Sequence, residues 1–387
     1  MSVSRHFVLA AGGTGGHMMP AHALAIELVA RGHRVALVTD ARGARIPGLF
    51  DDVQTHILPA GRITGNPLSW PGGVRAILSG RGMARRLYEA FEPSAVIGFG
   101  GYPAFPALSA AHSAGIPTAV HEQNAVLGRV NRLVANRVKA IATAYPDVER
   151  ITARNLDKVH LVGNPVREDV LALRDRPYPM LDGDSVFRVL VVGGSQGANI
   201  LSEVVPDGLA MLPEALRRRL QVTQQCRVED IDAVRSRYRT LGIPADLATY
   251  MTDIPERLAW THLVIGRAGA STVAELTAAG RPAILVPLPS ATDDHQTANV
   301  REMVGAGGAR SIRQDRFTAV ELAKQMQKLG LDPQGLANAA RAAWNCGRPN
   351  ATRDLADLVE SLGRTSVVDG LRADNWNPAA SLAGATA

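Results

Sequence analysis

Two kinds of stretch alternate along the chain, namely short apolar runs and longer segments in which apolar positions recur at helical spacing. Each apolar run ends in glycine, in a polar residue or in a turn. This alternation predicts a parallel sheet with crossover helices, the first of them at residues 20–30. In the first half of the chain the predicted strands are residues 6–11, 34–39, 95–99, 118–121, 140–143 and 159–162.

The same pattern starts again after residues 174–185, whose prolines, glycine and mixed charges predict a surface loop. A strand at 188–192 leads through a glycine loop into a helix predicted at 198–212. The repeat predicts an α/β fold of two Rossmann-like, doubly wound parallel-sheet domains that face a cleft. The other strands predicted in this half are residues 220–223, 262–265 and 283–286.

We expect the domain boundary near residues 163–165. The expected division is a first domain at 1–164, a second at 165–349, a helix at 350–364 that packs back on the first domain, and a flexible tail at 365–387. The tail is predicted because its composition is rich in Asp, Asn, Pro, Ser, Ala and Gly and lacks an amphipathic period.

The composition is that of a folded protein with more than one domain. The chain has 387 residues, of which 46% are hydrophobic and 20% charged, and this excludes wholesale disorder. No stretch approaches the roughly 18 apolar residues of a membrane span, and no signal peptide precedes the first strand, so we expect a cytoplasmic protein. Cys226 and Cys346 are too few for a disulfide framework or a cysteine metal site.

A net charge of +6 favours anionic partners. Nucleic acid is a poor candidate, because aromatic residues are only 4% of the chain and no helix-turn-helix, zinc finger or RNP motif is present.

A membrane surface is a better candidate, because residues 53–88 contain no acidic residue and place arginines beside apolar side chains. Near an anionic bilayer each such charge contributes about 1 kcal/mol. The alternative is a solvated helix face with some core residues. The residues predicted to dock on a membrane are Arg75, Ile77, Leu78, Arg81, Arg85 and Arg86.

Two glycine-rich loops follow predicted strands, at residues 12–17 and 193–197. Glycines let the backbone approach a ligand closely, and free amides at the next helix start favour a phosphate. Neither loop is a Walker A motif, and a nicotinamide site is only weakly supported. The alternative is that the glycines only make tight turns. His17 closes the first loop as a candidate base, since imidazole titrates near neutral pH, or as a residue that caps or packs the helix start.

Polar residues follow two other predicted strands. Residues 121–124 read His-Glu-Gln-Asn and are expected to line a cleft, the alternative being loop polar groups with satisfied hydrogen bonds. They do not form a zinc peptidase motif, because residue 125 is alanine. In the second half, Glu275 follows a loop of small residues and is expected either to complete a capping box or to bind ribose hydroxyls. Residues 293–296 offer polar groups for a sugar.

Taken together, these motifs resemble the MurG family, the UDP-N-acetylglucosamine transferases that convert lipid I to lipid II in peptidoglycan synthesis. The similarity runs from about residue 5 to residue 362, and its specificity comes from six motifs that occur in the family's order. The motifs are Gly12-Gly13-Thr14-Gly15-Gly16-His17, Gly98-Phe99-Gly100-Gly101-Tyr102, His121-Glu122-Gln123-Asn124, Gly163-Asn164-Pro165-Val166-Arg167, Gly193-Gly194-Ser195-Gln196-Gly197 and residues 268–275.

The resemblance implies a two-domain GT-B transferase, inverting and without a cofactor or a metal in its chemistry. Asp182-Gly183-Asp184 looks like a metal-binding D-x-D, but its place in a predicted interdomain loop argues against that role. The implied partners are UDP-N-acetylglucosamine, a polyprenyl-linked muramyl-pentapeptide acceptor, anionic inner-leaflet lipids and cell-wall synthesis proteins. The implied location is the cytoplasmic face of the inner membrane, where the enzyme is peripheral.

The resemblance also assigns residues to roles. His17 would be the base and Glu275 the ribose contact, while Met251 resembles the aliphatic position that touches uracil. Two segments depart from the family pattern, His295-Gln296 in place of paired glutamines and Gln224-Gln225-Cys226 in place of a Thr/Ser-Gly turn. The other implied contacts are Thr14, Gly15, Gly16 and Asn124 from the first domain, Arg167 and Ser195 for UDP, Ala270, Ser271 and Thr272 for the phosphate or uracil side, and Gln296 for a sugar hydroxyl.

Two other functions stay open from the sequence. A non-hydrolysing UDP-N-acetylglucosamine epimerase has the same architecture but needs several catalytic carboxylates in the cleft. A non-catalytic, membrane-bound nucleotide-sugar sensor would bind the nucleotide and release no product.

Overall fold

A computed structural model describes residues 4–46, 49–50, 53–59, 70–194 and 197–362. In this part of the chain the first sheet has seven parallel strands in the order β3-β2-β1-β4-β5-β6-β7. They are β1 (His6–Ala11), β2 (Arg34–Thr39), β3 (Gln54–Ile57), β4 (Ala95–Gly100), β5 (Thr118–Glu122), β6 (Ala140–Thr143) and β7 (Val159–Leu161).

Among the described residues, the second sheet has six parallel strands in the order β10-β9-β8-β11-β12-β13. Both sheets therefore place their first strand next to their fourth, which is the point where a doubly wound sheet opens a crevice. The strands are β8 (Phe187–Val192), β9 (Leu220–Gln225), β10 (Ala245–Ala248), β11 (Leu263–Gly266), β12 (Ala283–Leu285) and β13 (Ala309–Ser311).

Helices cover both faces of each sheet. Those near the first sheet are α1 (Gly15–Ala30), α2 (Trp70–Phe91), α3 (Ala104–Ser113) and α4 (Arg129–Val134). The later ones are α5 (Glu168–Leu171), α6 (Asn199–Ala210), α7 (Glu214–Arg217), α8 (Ile231–Leu241), α9 (Ile254–Trp260), α10 (Ala270–Ala279), α11 (His295–Asn299), α12 (Arg301–Gly305), α13 (Ala319–Gly330), α14 (Pro333–Cys346) and α15 (Ala351–Leu362).

Alternation along β1 shows why the strands are apolar throughout. Val8 and Ala10 pack with α2 and α3 on one face, whereas Phe7, Leu9 and Ala11 pack with α1 and α15 on the other. All five side chains are fully buried. Burial at roughly 25 cal/mol per Å² of apolar surface holds both layers to the sheet. The prediction of an α/β fold with two doubly wound parallel sheets is confirmed.

Three strands were not predicted, namely β3, β10 and β13. Each lies at the edge of its sheet and pairs with only one neighbour. Their sequences are short and partly polar, with exposed or half-buried positions, so they carry no apolar run that a sequence pattern could reveal.

The first helix begins five residues earlier than predicted. Pro20 suggested a helix start, but α1 begins at Gly15 and contains Pro20 inside it. His17 therefore lies in the first turn of the helix and not in the loop before it. The helix after the second glycine loop spans Asn199–Ala210, slightly shorter than the predicted 198–212.

The last helix belongs structurally to the first sheet. Leu355, Ala356 and Val359 of α15 are buried in the same core cluster as α1. Arg31 donates to the Glu360 carboxylate at 2.8 Å, and His33 Nε2 lies 2.6 Å from its other oxygen. We call the seven-stranded sheet with α1–α4 and α15 the first lobe, and the six-stranded sheet with α5–α14 the second lobe.

The chain crosses between the lobes near Gly163 and again near Arg348. Gly163 has a φ of +95°, and a Cβ there would lie 2.7 Å from Cβ of Arg348 and 3.0 Å from Cβ of Ala351. The two crossings therefore touch, and a side chain at residue 163 would separate them. The predicted tail, residues 365–387, lies outside the described residues. Among the helices that are described, none is long and apolar enough to traverse a bilayer.

Candidate functional site

The first glycine loop holds His17 in a defined orientation. Its Nδ1 lies 3.0 Å from the carbonyl oxygen of Gly12 and 3.4 Å from Oγ1 of Thr14. A carbonyl oxygen can only accept a hydrogen bond, so Nδ1 carries the proton in the neutral ring. Nε2 is then the nitrogen with the free lone pair, which is the state that a general base requires.

Glycines at the end of β4 make room for this imidazole. Gly100 has a φ of +93°, and a Cβ there would lie 3.1 Å from Nε2 of His17. A Cβ at Gly101 would come within 2.8 Å of the Gly12 carbonyl oxygen that orients the ring. The motif at residues 98–102 therefore lets two loops pack closely, a role that the sequence analysis did not assign to it.

The rest of the first loop is anchored from β2 and open on one side. Asp40 accepts hydrogen bonds from the amides of Gly13, at 3.1 Å, and Gly43, at 2.8 Å. Thr14 is the N-cap of α1, and a Cβ built on Gly15 would meet no atom within 4 Å. At Gly16 only Oγ1 of Thr14 comes that close, at 3.8 Å. These positions leave space for a ligand next to the free amides of the helix start.

The expectation that residues 121–124 line a cleft is wrong for the first three. His121, Glu122 and Gln123 are at most 2% exposed, and each has partners. His121 Nε2 donates to the Gly163 carbonyl at 2.9 Å, and its Nδ1 accepts from Gln123 at 3.0 Å. Burial lowers the pKa of His121 to about 4, so its imidazole stays neutral. Hydrogen bonds within the fold, the alternative interpretation, account for His121 and Glu122 and for the NH₂ group of Gln123, whose Oε1 has no partner among the described residues.

Glu122 organises the loop that follows β5. Its carboxylate accepts hydrogen bonds from the amides of Asn124, at 3.1 Å, and Gly128, at 2.7 Å, and from the side chain of Asn131 at 2.9 Å. Asn124 is the residue of the motif that is half-exposed. Its side chain reaches the second lobe, where its Oδ1 accepts from Asn299 at 3.2 Å.

In the second lobe, α10 begins without a side-chain cap. Its N-cap is Gly269, so Ser271 and Thr272 lie inside the first turn and neither of them caps the helix. Ala270 is the first helical residue. The Oγ of Ser271 is buried and has no hydrogen-bond partner among the described residues. An uncapped helix start with a free hydroxyl suits an anion.

Glu275 pairs with Arg167 and does not complete a capping box. Its Oε1 accepts from Nη2 of Arg167 at 2.8 Å and from Nε at 3.2 Å. Burial raises the pKa of Glu275, while the adjacent guanidinium opposes that shift. Two residues that the family resemblance placed at the nucleotide are thus in direct contact. Helix α10 approaches α1, so Glu275 and His17 lie on helices that face each other.

Gln296 and Met251 have structural partners of their own. Oε1 of Gln296 accepts from the amides of Ala268, at 3.2 Å, and Leu288, at 3.0 Å, which fixes its amide and orients its NH₂ group away from them. Met251 is 7% exposed and packs in the apolar cluster behind β11 and α10.

The second glycine loop is described only in part. Ser195 and Gln196 lie outside the described residues, so the predicted UDP contact of Ser195 is among those that the structure does not describe. Gln225 accepts from the amide of Gly193 at 3.2 Å, and Gln224 accepts from the Tyr238 hydroxyl at 2.6 Å. The segment that departs from the family pattern therefore supports the loop and the core of the lobe.

The basic segment forms the outer face of α2. Arg75, Leu78, Arg85 and Arg86 are exposed, with Leu78 at 60%, whereas Ile77 is half-buried. Arg81 is also half-buried and donates to Oγ of Ser113 at 2.6 Å. Leu87, which directly follows Arg86, is buried in the core, so the segment combines exposed and core residues, and membrane docking of its exposed face stays a prediction.

No cluster of three or more His, Cys, Asp or Glu that could hold a metal ion is found within the described ranges. Cys226 and Cys346 are unpaired with each other, and burial raises the pKa of Cys226 to about 11. A thiol in that state is a weak nucleophile at neutral pH.

Asn299 is a residue of the candidate site that the sequence analysis missed, whereas Asp293, predicted as a polar group for a sugar, pairs with two arginines of the first lobe. Arg132 of the first lobe donates to Asp293 at 2.7 Å, and Arg150 lies 3.3 Å from its other oxygen. The signal available in the sequence was the spacing of Asn299, which stands three residues after Gln296 on one helix and so faces the same side.

Comparisons with known proteins show which family this chain resembles. The glycosyltransferase family 28 N-terminal domain matches residues 7–143, and its C-terminal domain matches residues 188–359. A UDP-N-acetylglucosamine–N-acetylmuramyl-(pentapeptide) pyrophosphoryl-undecaprenol N-acetylglucosamine transferase from Novosphingobium aromaticivorans is 68% identical over 380 residues, which is 98% of each chain.

Among solved structures, MurG from Acinetobacter baumannii has a TM-score of 0.74 and 29% identity, covering 92% of this chain and 99% of its own. UDP-N-acetylglucosamine 2-epimerase from Neisseria meningitidis, at 13% identity and a TM-score of 0.64 over 92% of this chain and 100% of its own, shares the fold alone. With both domains of the family matched and a near full-length relative at this identity, the chain belongs to the MurG group of glycosyltransferase family 28.

Proposed function

We propose that this protein transfers N-acetylglucosamine from UDP-N-acetylglucosamine to the muramyl sugar of a polyprenyl-pyrophosphoryl muramyl-pentapeptide, the step from lipid I to lipid II. The observation that carries the proposal is the 68% identity, over 98% of both chains, to a transferase named for that reaction. The arrangement of His17 and the start of α10 on facing helices supplies the groups that such a reaction needs.

His17 acts as the general base. Its Nε2 takes the proton from an acceptor hydroxyl, and the oxygen attacks the anomeric carbon while the bond from that carbon to UDP breaks. Attack from the face opposite the leaving group inverts the anomeric centre and gives a β-1,4 linkage. Because the Gly12 carbonyl holds the proton on Nδ1, the ring does not need to rotate before it accepts the new proton on Nε2.

The second lobe stabilises the departing diphosphate. The first turns of α10 and α6, which no described side chain caps, present free amides, and the Oγ of Ser271 can donate to a phosphate oxygen. Each preorganised donor of this kind contributes about 3 kcal/mol to the transition state. Glu275 accepts hydrogen bonds from ribose hydroxyls, and Arg167 keeps that carboxylate charged.

Other contacts complete the donor site. Gln296 donates its NH₂ to a sugar hydroxyl, Met251 packs near uracil, and Ser195 contacts the diphosphate. The first lobe closes over the donor with Thr14, Gly15, Gly16 and Asn124. The functional division that accompanies these roles is an acceptor and membrane-docking domain at 1–164, a UDP-sugar domain at 165–349, and a helix at 350–364 that belongs with the first domain.

The exposed face of α2 docks on anionic lipids of the inner leaflet, at the cytoplasmic face. The acceptor carries a polyprenyl chain that stays in the bilayer, so the enzyme must approach the membrane. Arg75, Arg85 and Arg86 beside the 60% exposed Leu78 supply charge and apolar surface for that contact. Cell-wall synthesis proteins are the expected neighbours at this surface.

The test is transfer of labelled N-acetylglucosamine from UDP to a short-chain polyprenyl acceptor, without added divalent metal and with a chelator present. The proposal expects a labelled lipid product, its loss on omission of the acceptor, and a β-linked disaccharide on digestion. Release of a free epimerised sugar would favour the epimerase, and UDP-sugar binding without any product would favour the sensor. Either result contradicts the proposal.

A further inference from the structure

Asn299 is a buried asparagine at the contact between the lobes. It is fully buried, and it is the last residue of α11, the helix that also carries Gln296. The loop before this helix is tied to the first lobe by Arg132 and Arg150, which pair with Asp293. The segment from Asp293 to Asn299 therefore contacts the first lobe at both of its ends.

The side chain of Asn299 makes three hydrogen bonds. Its Oδ1 accepts from the amide of Ala125 in the first lobe at 2.8 Å. Its Nδ2 donates to the carbonyl of Ala268 in the second lobe at 3.1 Å and to Oδ1 of Asn124 in the first at 3.2 Å. A backbone amide can only donate and a backbone carbonyl can only accept, so the orientation of this amide group is fixed by its partners.

The fixed orientation of the Asn299 amide group also determines how the side-chain amide of Asn124 is oriented. Because Asn299 donates to its Oδ1, the Nδ2 of Asn124 turns to the other side, where it donates to Glu122 at 3.2 Å. On the second lobe, Ala268 is held at both ends, since Gln296 accepts from its amide and Asn299 donates to its carbonyl. Ala268 stands directly before Gly269, the N-cap of α10.

We propose that Asn299 is a positioning residue that sets Asn124 of the first lobe in register with the start of α10 in the second, so that both halves of the donor site close on one UDP-sugar. This inference rests on the proposed function, in which Asn124 and the first turn of α10 contact the donor. Asn299 itself touches neither reacting sugar. It acts through the two segments that it joins.

The test is a double-mutant cycle with Asn124→Ala and Asn299→Ala, read in kcat/KM for UDP-N-acetylglucosamine and in UDP affinity measured by calorimetry. Asn299→Ala is expected to lower kcat/KM about tenfold through a higher KM for the donor, because it leaves buried groups unpaired on both lobes. If Asn299 acts through Asn124, the double variant is only slightly worse than the more damaging single variant. Independent, additive effects would overturn the inference.

Two further variants separate positioning from folding. Asn299→Asp keeps the acceptor for Ala125 but turns an oxygen towards two acceptors, so it should reproduce the kinetic defect with little loss of volume. Asn155→Ala is the matched control, since Asn155 is another asparagine, 3% exposed, whose side chain donates to Asn136 and Thr152 within the first lobe. It should lower the melting temperature and leave the donor KM unchanged.

If Asn299→Ala behaves like Asn155→Ala, with a lower melting temperature and an unchanged donor KM, the role is only structural and the inference is wrong. A wild-type protein that transfers no sugar contradicts the proposed function alone, because the cycle in UDP affinity still decides the role of Asn299.

Discussion

In the first lobe, β1 leads through a glycine loop into α1, whose first turn carries His17; in the second lobe, β11 leads through a loop of small residues into α10, which carries Glu275. Each titratable group stands near an uncapped helix start at the carboxyl end of a strand. Their partners differ, because His17 donates a hydrogen bond from Nδ1 to a carbonyl and keeps the lone pair on Nε2, whereas Glu275 accepts two hydrogen bonds from Arg167.

The same arrangement of strand, loop and helix start thus carries groups with two different chemical properties. An imidazole with an unoccupied lone pair can take a proton, whereas a carboxylate whose Oε1 already accepts from a guanidinium is held in place to accept further hydrogen bonds. The comparison teaches that position in a doubly wound sheet locates a functional group, while its hydrogen-bond partner determines what it does.

The largest effect is expected where the first lobe loses His17, its proposed base. His17→Ala should lower kcat by about 10²- to 10⁴-fold and change the donor KM less than about threefold, because the donor is held mainly by the second lobe. Initial rates with labelled UDP-N-acetylglucosamine measure both constants. The control is His160→Ala, at an exposed histidine of the same lobe. A kcat that stays within threefold of wild type would remove His17 as the base.

We propose membrane docking for the first lobe only, so charge reversal on that lobe alone should weaken binding to vesicles. Replacing Arg75, Arg85 and Arg86 with glutamate should weaken binding to anionic vesicles about 100-fold, since each arginine contributes about 1 kcal/mol. Cosedimentation with phosphatidylglycerol vesicles measures the loss, which high salt should reduce.

The matched control carries the same three reversals on the second lobe, at the exposed Arg239, Arg310 and Arg316. Equal weakening by the two triple variants would mean that only net charge matters and would contradict a specific docking face.

Loss of the Glu275 carboxylate in the second lobe should weaken donor binding more than it slows the chemical step. Glu275→Gln keeps the volume of the side chain but weakens the hydrogen bonds to ribose, so the donor KM should rise about tenfold with a smaller change in kcat. Glu256→Gln, at an exposed glutamate of the same lobe, is the control. A large fall in kcat with an unchanged KM would instead make Glu275 part of the chemistry and remove the contrast between the lobes.

The smallest effect concerns two buried histidines that lie one in each lobe and are not part of the proposed chemistry. Burial lowers the pKa of both His121 and His262 to about 4. Below pH 6.5, the ordinary pKa of histidine, the unfolded chain binds protons at these two residues and the folded chain does not. The free energy of unfolding is therefore highest above pH 6.5 and falls as the pH drops towards 4. When the pH is lowered from 7 to 5.5, each histidine should reduce the free energy of unfolding by about 1 kcal/mol.

Urea unfolding of wild type and His262→Gln at both pH values measures that cost. The variant should lose about 1 kcal/mol less than wild type between the two pH values, whereas His160→Gln should match wild type. An identical pH dependence in wild type and His262→Gln would show that His262 is not the neutral, buried group described here.

Much of the fold could be predicted from the sequence because buried parallel strands are apolar on both faces. The strands at 6–11, 34–39 and 140–143 have the predicted bounds, since their residues pack against helices on either side of the sheet. The edge strands β3, β10 and β13 could not be predicted, because pairing with one neighbour depends on the backbone and leaves polar side chains in place.

The candidate site was predictable in its members but not in their partners. Glycine loops and polar strand ends pointed to His17, Asn124 and Glu275, yet the sequence suggested a cleft for His121 and a cap for Glu275. Those two expectations failed because the deciding partners, Gly163 and Arg167, are more than 40 and 100 residues away in the chain. Contacts between residues so far apart in the chain are determined by the tertiary fold, and no local pattern in the sequence indicates them.

The placement of α15 has a consequence for the order in which the protein matures during translation. Leu355, Ala356 and Val359 pack in the same core layer as α1, so α1 lacks part of its support until the residues of α15 have left the ribosome. The second lobe is made earlier than this helix and can already have assembled its own core. The amino-terminal half, although synthesised first, would therefore be the last to gain its full rigidity.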